Sequence, residues 1–186
     1  MDRNGGFTFI EVLFVLVVIG ILAAMAVPIT DQMIRRSKAD SAVIVAQNAV
    51  DTARDRAVAE RRNFVLTFVG SNRIRLDRQE IDANGVVIGT TTTNTFTLEG
   101  RQQFLKFPAL PDTPDAFGAT AAQSFTGTAP VMFTSDGSLI DSNGDVTNGS
   151  LYFGVQGQTQ TARAVTIFGV TGLTRTWKWS GNQWQQ

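Results

Sequence analysis

A chain of 186 residues with 43% hydrophobic content can bury one sizeable core, and its length argues against a second full domain. Lys+Arg and Asp+Glu both number 16, so gross charge favours neither a nucleic-acid binder nor a partner of acidic surfaces; either role needs a local patch. Cysteine and histidine are absent, which excludes disulfides, thiolate nucleophiles, Cys/His zinc sites and Ser-His or Cys-His catalytic pairs.

The first element is apolar. Val12 to Val27 is uninterrupted by any polar residue, and 7–29 amounts to about 34 Å of helix at ~1.5 Å per residue, enough for a hydrocarbon core of about 30 Å. Pro28 stands where the run ends and predicts a kink or an exit from the bilayer. A plain anchor would account for the run, and so would a secretory signal cut after Ala24-Met25-Ala26. Glu11 argues against both, because a carboxylate inside a span costs roughly 2.5 to 3.5 kcal/mol near the bilayer centre and ordinarily has a partner. Charge asymmetry adds a conflict: Arg3 is offset by Asp2, whereas Arg35, Arg36 and Lys38 follow the run, so the positive-inside rule would keep the C-terminal part in the cytoplasm.

The stretch GGFTFIEVLFVLVVIGILAAMAVP, residues 5–28, resembles the class III signal of type IV pilins and type II secretion pseudopilins. The shared pattern is a short polar leader (1–6) ending in glycine, a phenylalanine, a glutamate four residues later, an apolar run and a proline. The resemblance implies that a prepilin peptidase cuts between Gly6 and Phe7 and methylates the new amine of Phe7. It implies a single-pass protein of the bacterial inner membrane, with 7–29 in lipid before assembly and the C-terminal head in the periplasm, against the charge argument. It also implies a role for Glu11, which would pair with the terminal ammonium of a neighbouring subunit; two groups costly to bury singly become tolerable together. The implied partners are other pilins or pseudopilins, the prepilin peptidase, membrane lipid and an inner-membrane assembly platform, with no cofactor or metal.

Residues 30–62 continue the helix with another pattern. Ala39, Ala42, Val43, Ala46, Ala49, Val50, Ala53 and Ala57 recur at spacings of three and four, predicting a small-residue stripe on which a sheet packs closely. Arg35, Arg36, Lys38, Asp40, Asp51, Arg54, Asp55 and Arg61 read as a mostly solvated face.

Residues 63–186 read as a β-rich head. Candidate strands are 63–69, 73–82, 86–92, 95–99, 131–134, 151–155, 162–170 and 173–179, with Asn84-Gly85 a strong hairpin turn. Pro108 to Pro130 holds four of the five prolines and reads as a surface loop region. VMFTSDGSL at 131–139, SLYFGV at 150–155 and AVTIFGVTGLTRTWKW at 164–179 resemble the head of the GspH/FimT family of minor pseudopilins and minor pilins. The expected fold is therefore α+β and pilin-like: one long N-terminal helix, half membrane span and half amphipathic, packed on the head.

Gly172-Leu173-Thr174-Arg175 falls where DNA-binding members of that family carry Gly-Arg-x-Arg, with Leu173 in place of the first arginine. Strand alternation puts Arg175, Trp177 and Trp179 on one face and Thr174, Thr176 and Lys178 on the other. One reading is a DNA surface built from Arg175, Lys178 and nearby Arg163 or Arg101, gripping phosphates and stacking bases. The other is that both tryptophans are core residues packed on the helix and Lys178 is solvated. Asp141-Ser142-Asn143-Gly144-Asp145 partly resembles a calcium loop, but Val146 and Tyr152 stand where glycine and a bidentate glutamate belong, and a turn explains it more simply. Asp112 and Asp115, like Asp141 and Asp145, read as turn formers and not as a catalytic pair. The expectation is a non-enzymatic filament subunit of a secretion pseudopilus or pilus, the alternative a DNA-uptake pilin.

Overall fold

The computed structural model describes residues 8–186, apart from the side chains of 25–32; the expected leader and the Gly6-Phe7 junction lie outside them. Helix α1 runs Phe9–Glu60. Thr8 starts it: its carbonyl accepts from the Val12 amide at 3.2 Å and its hydroxyl from the Glu11 amide at 3.4 Å, the N-cap half of a Thr-x-x-Glu capping box. The other end closes with Arg61 at φ 50° and the Arg62 amide donating to the Ala57 carbonyl at 3.3 Å, a Schellman arrangement with arginine where glycine is usual. The chain divides into two compact units, 1–36 and 37–186.

In the first unit the large apolar side chains from Phe9 to Leu22 are exposed, Phe9 at 81% and Phe14 at 70%. Among the described residues no helix is long and apolar enough to cross a membrane. The expected span 7–29 lies partly outside them.

The second unit has the expected α+β construction. After α1 come β1 (Phe64–Val69), β2 (Arg73–Ile81), β3 (Val87–Thr97), β4 (Gln103–Phe104), β5 (Gln123–Phe125), β6 (Val131–Phe133), β7 (Leu139–Ile140), β8 (Gly149–Val155), β9 (Gln158–Ile167), β10 (Thr174–Trp179) and β11 (Trp184–Gln185). One sheet has the order β3-β2-β1-β6-β7; the other has β11-β10-β9-β8-β4, with β5 also on β8. All pairings between these strands are antiparallel, as short turns allow.

Every residue of the predicted stripe from Ala39 to Ala57 is buried. From Ala42 onward the stripe shares one core with Phe64, Leu66, Ile74 and Leu76 of the first sheet and Leu151, Phe153, Val165 and Ile167 of the second. Alanines suit this place because a side chain of one carbon lets both sheets approach the helix closely without loss of packing density. The Asn84-Gly85 hairpin forms as expected, with Gly85 at φ 83° and the Asp82 amide donating to the Val86 carbonyl at 2.9 Å.

Three expectations change. Candidate strands 86–92 and 95–99 are one strand, β3: a register shift lets Thr93 bulge and donate its hydroxyl to the Leu76 carbonyl at 3.1 Å, so the ladder continues through the polar run. The region 108–130 carries strand β5 and buries Leu110, Thr113 and Ser124, so it is more than surface loop. The second sheet is also lined on both faces. Tyr152, Ala162, Ala164, Trp177 and Trp184 form a second core with Phe107 and Leu110.

Candidate functional site

Glu11 occupies the first turn of α1, where the positive end of the helix dipole favours a carboxylate. The residue is exposed. In the sequence Glu11 stands out as a charge in an apolar run, with pairing to a neighbour's terminal amine as its expected role. The Thr8-x-x-Glu11 spacing also carried a signal for the helix start, and the cap geometry answers to it. The cleavage and methylation positions, Gly6 and Phe7, lie outside the described residues.

Three of the four basic candidates on the head, Arg163, Arg175 and Lys178, do not share one surface. Register pairs Lys178 with Arg163 and Arg175 with Thr166, so strand alternation puts Arg163 and Lys178 on the helix side of the sheet and Arg175 on the other. Arg163 is 1% exposed. Its Nε donates to Asp40 Oδ1 at 2.7 Å and its Nη1 to the carbonyls of Gln160 and Ala162, at 3.2 and 2.9 Å. The guanidinium is taken up inside the head, and no phosphate can reach it there. Asp40, expected on a solvated face, is its partner. Lys178 is exposed beside this pair, lining a cavity of about 260 Å³ with Asp40, Ile44 and Gln47.

Arg175 is exposed, but it is held on both sides. Its Nη1 donates to Asp115 Oδ1 at 2.8 Å, and its guanidinium carbon stands 4.6 Å from the centre of the Phe168 ring, within cation–π range. Asp115 Oδ2 accepts the Thr166 hydroxyl at 2.5 Å, and Thr166 Oγ1 accepts the Trp177 indole N–H at 3.0 Å. Arg175 therefore ends a buried polar chain that ties the 111–118 segment to β9 and β10. Trp177 is core, as one reading of the sequence had it, but it packs beneath that segment and not on the helix. Trp184 is fixed likewise, its indole donating to the Pro111 carbonyl at 3.1 Å.

The acidic turns are occupied by their own backbone. Asp141 accepts from the amides of Thr128, Asn143 and Asp145 at 3.0, 2.8 and 3.0 Å. Asp112 accepts the Gly118 amide at 2.9 Å and the Tyr152 hydroxyl at 2.6 Å. Burial first, and then that carboxylate, push the Tyr152 pKa up. Among the described residues no three acidic groups are gathered as metal ligands would be.

Acid sensitivity follows from these carboxylates. Burial alone would raise Asp77, but hydrogen bonds from Thr92, Thr67 and Arg75 outweigh it and hold the group below its ordinary value. The Thr134 hydroxyl and the Ser138 amide and hydroxyl bring Asp136 down to about 2. Backbone donors, Thr128 first, lower Asp141 as well. Among the described residues Asp51 is the one shifted carboxylate that moves up, through burial and the neighbouring Asp55. A carboxyl more acidic in the folded chain stabilises it fully above the unfolded value of about 4, and that contribution disappears as pH falls through the folded value. Thermal melts of the protein should therefore show a plateau above about pH 5 and a loss of stability from roughly pH 4 downward. Asp77→Asn should flatten the acid limb, and an unchanged limb would remove Asp77 from this account.

Residues 1–27 match the family described as the prokaryotic N-terminal methylation motif. The chain thus carries a prepilin-type methylation motif at its N-terminus. Among solved structures, the Pseudomonas aeruginosa (strain PAO1) type IV minor pilin FimU, crystallised in space group P21, is similar at 14% identity with a TM-score of 0.47, covering 86% of this chain and 98% of that one. No curated protein matches the chain.

Proposed function

We propose that the protein is a non-enzymatic filament subunit, a minor pilin or minor pseudopilin. In this reading a prepilin peptidase cuts between Gly6 and Phe7 and methylates Phe7, the apolar helix rests in the bacterial inner membrane until assembly, and the head lies in the periplasm. An inner-membrane assembly platform would then extract the subunit, with contacts to other pilins or pseudopilins replacing lipid.

One observation carries the reading. The matched motif leads into a helix whose apolar side chains from Phe9 to Leu22 are exposed, headed by a charged Glu11. Such a surface is favourable only in lipid or against other apolar helices. A carboxylate at its start suits pairing with a neighbour's terminal amine more than burial alone.

The test is mass spectrometry of the chain from host membranes, together with immunoblotting of sheared filaments. A mature N-terminus at methylated Phe7 is expected, and an uncut chain would overturn the reading. Glu11→Gln keeps a group able to complete the capping box but removes the charge. It is expected to leave cleavage intact and to lower filament incorporation at least tenfold; wild-type incorporation would end the pairing role.

A further inference from the structure

Strand β3 is the last strand of its sheet, so among the described residues one of its edges has no neighbour. Natural edge strands are commonly blunted by brevity, proline, charge, especially lysine, or bulges. Of these β3 has only bulges. It is eleven residues long, and VVIGTTTTNTFTL, residues 86–98, contains neither a charge nor a proline. The distal half of the β2–β3 hairpin is also uncovered: residues 86–92 are all exposed, Val87 at 52% and Ile88 at 68%. A bare two-stranded ribbon is marginal in water, and apolar residues at its tip raise the cost of leaving it so.

The ladder to β2 shifts register at Thr93 and at Ile88. Between them Gly89–Thr92 pairs regularly with Glu80 to Asp77, so its outward amides and carbonyls keep an extended spacing. We propose that β3 pairs antiparallel, across Thr90–Thr92 and centred on Thr91, with β3 of a second copy of this chain. A second strand satisfies the whole row of backbone donors and acceptors in that spacing.

The side chains favour a second copy over an unrelated strand. A twofold axis sets equivalent residues near one another, which repels wherever the strand is charged; this one is neutral along its whole length. Threonine faces threonine favourably across strands, and Thr90 to Thr92 supply that match. That register sets Thr91 against Thr91 and Thr90 against Thr92 of the other copy, and beyond the bulges at Ile88 and Thr93 it brings the exposed tip of each ribbon toward the Thr95–Phe96 stretch of the other. The inference does not depend on the filament reading.

The chain has no cysteine, so an introduced one is the sole thiol. Full-length Thr91→Cys in detergent micelles, oxidised with copper phenanthroline, should form a disulfide-linked dimer at least ten times faster than Ser71→Cys, an equally exposed position on the β1–β2 turn. Thr91→Lys, with its fold checked by circular dichroism, should raise the dimer dissociation constant at least tenfold in sedimentation. Equal cross-linking at both positions, a monomeric wild-type chain or unchanged association of Thr91→Lys would each overturn the proposal.

Discussion

Replacing Gly172 with alanine is expected to lower the stability of the head by about 3 kcal/mol, which for a unit of this size is a fall of roughly 6–12 °C in Tm. Gly172 holds φ 66°, where an L side chain costs on the order of 1 kcal/mol. A Cβ there would stand 2.5 Å from the Gly137 carbonyl oxygen and 2.5 Å from Arg54 Cδ. The arginine stem can move. The carbonyl belongs to the β6–β7 turn, which the Gly137 amide closes on the Thr134 carbonyl at 2.9 Å, so shifting it opens a second turn. Gly172 itself donates its amide to the Phe168 carbonyl at 2.7 Å and shapes the entry to β10. Calorimetric unfolding of the variant checks this; a loss below about 1 kcal/mol would show that the two turns yield easily.

A second pair of substitutions separates charge from volume at Arg163. Asp40→Ala should cost about 2–4 kcal/mol, because a guanidinium 1% exposed loses its anionic partner and keeps only carbonyl acceptors. The Asp40 side chain is itself 51% exposed, which sets the lower end of that range. Arg163→Met should cost less, roughly 0–1 kcal/mol, since it removes the charge and fills most of the same space. Nη2, buried without a partner beside the others, points the same way. Urea unfolding of both variants decides: if Arg163→Met is the more damaging, the arginine is held there for its hydrogen bonds and not at a charge penalty.

The parts of the fold that the sequence disclosed are those whose period is local. Ala39 to Ala57 repeat at helical spacing over five turns, and Asn84-Gly85 names its own turn type, so both were readable without knowing what lay opposite. Two-residue strands such as β4, β7 and β11 have no period to detect. The alternation of β10 correctly put Arg175 and Trp177 on one face, yet no local signal says what covers a face. That cover is the 105–119 segment, whose prolines advertise irregular backbone and hide that Leu110 is buried. Arg163 is the clearest failure of local reading. Alternation sets it inward with Val165 and Ile167, but an arginine is ordinarily assigned to solvent, and the aspartate that makes burial tolerable is 123 residues away in the chain. At the N-terminus the reverse held: the motif was plain in the residues, and the Thr8 cap added a local purpose for Glu11.

The second sheet works as a bulkhead. Side chains alternate across β8, β9 and β10, so Val165 and Ile167 belong to the helix side while Ala164 and Trp177 belong to the side roofed by the proline-bearing segment. A change of volume in one compartment meets a hydrogen-bonded wall before it meets the other. A lineage can therefore remodel the roofed compartment, with its loops and aromatic anchors, while the alanine groove that seats the helix keeps its shape. One helix-bearing chassis can in this way carry differently furnished outer surfaces.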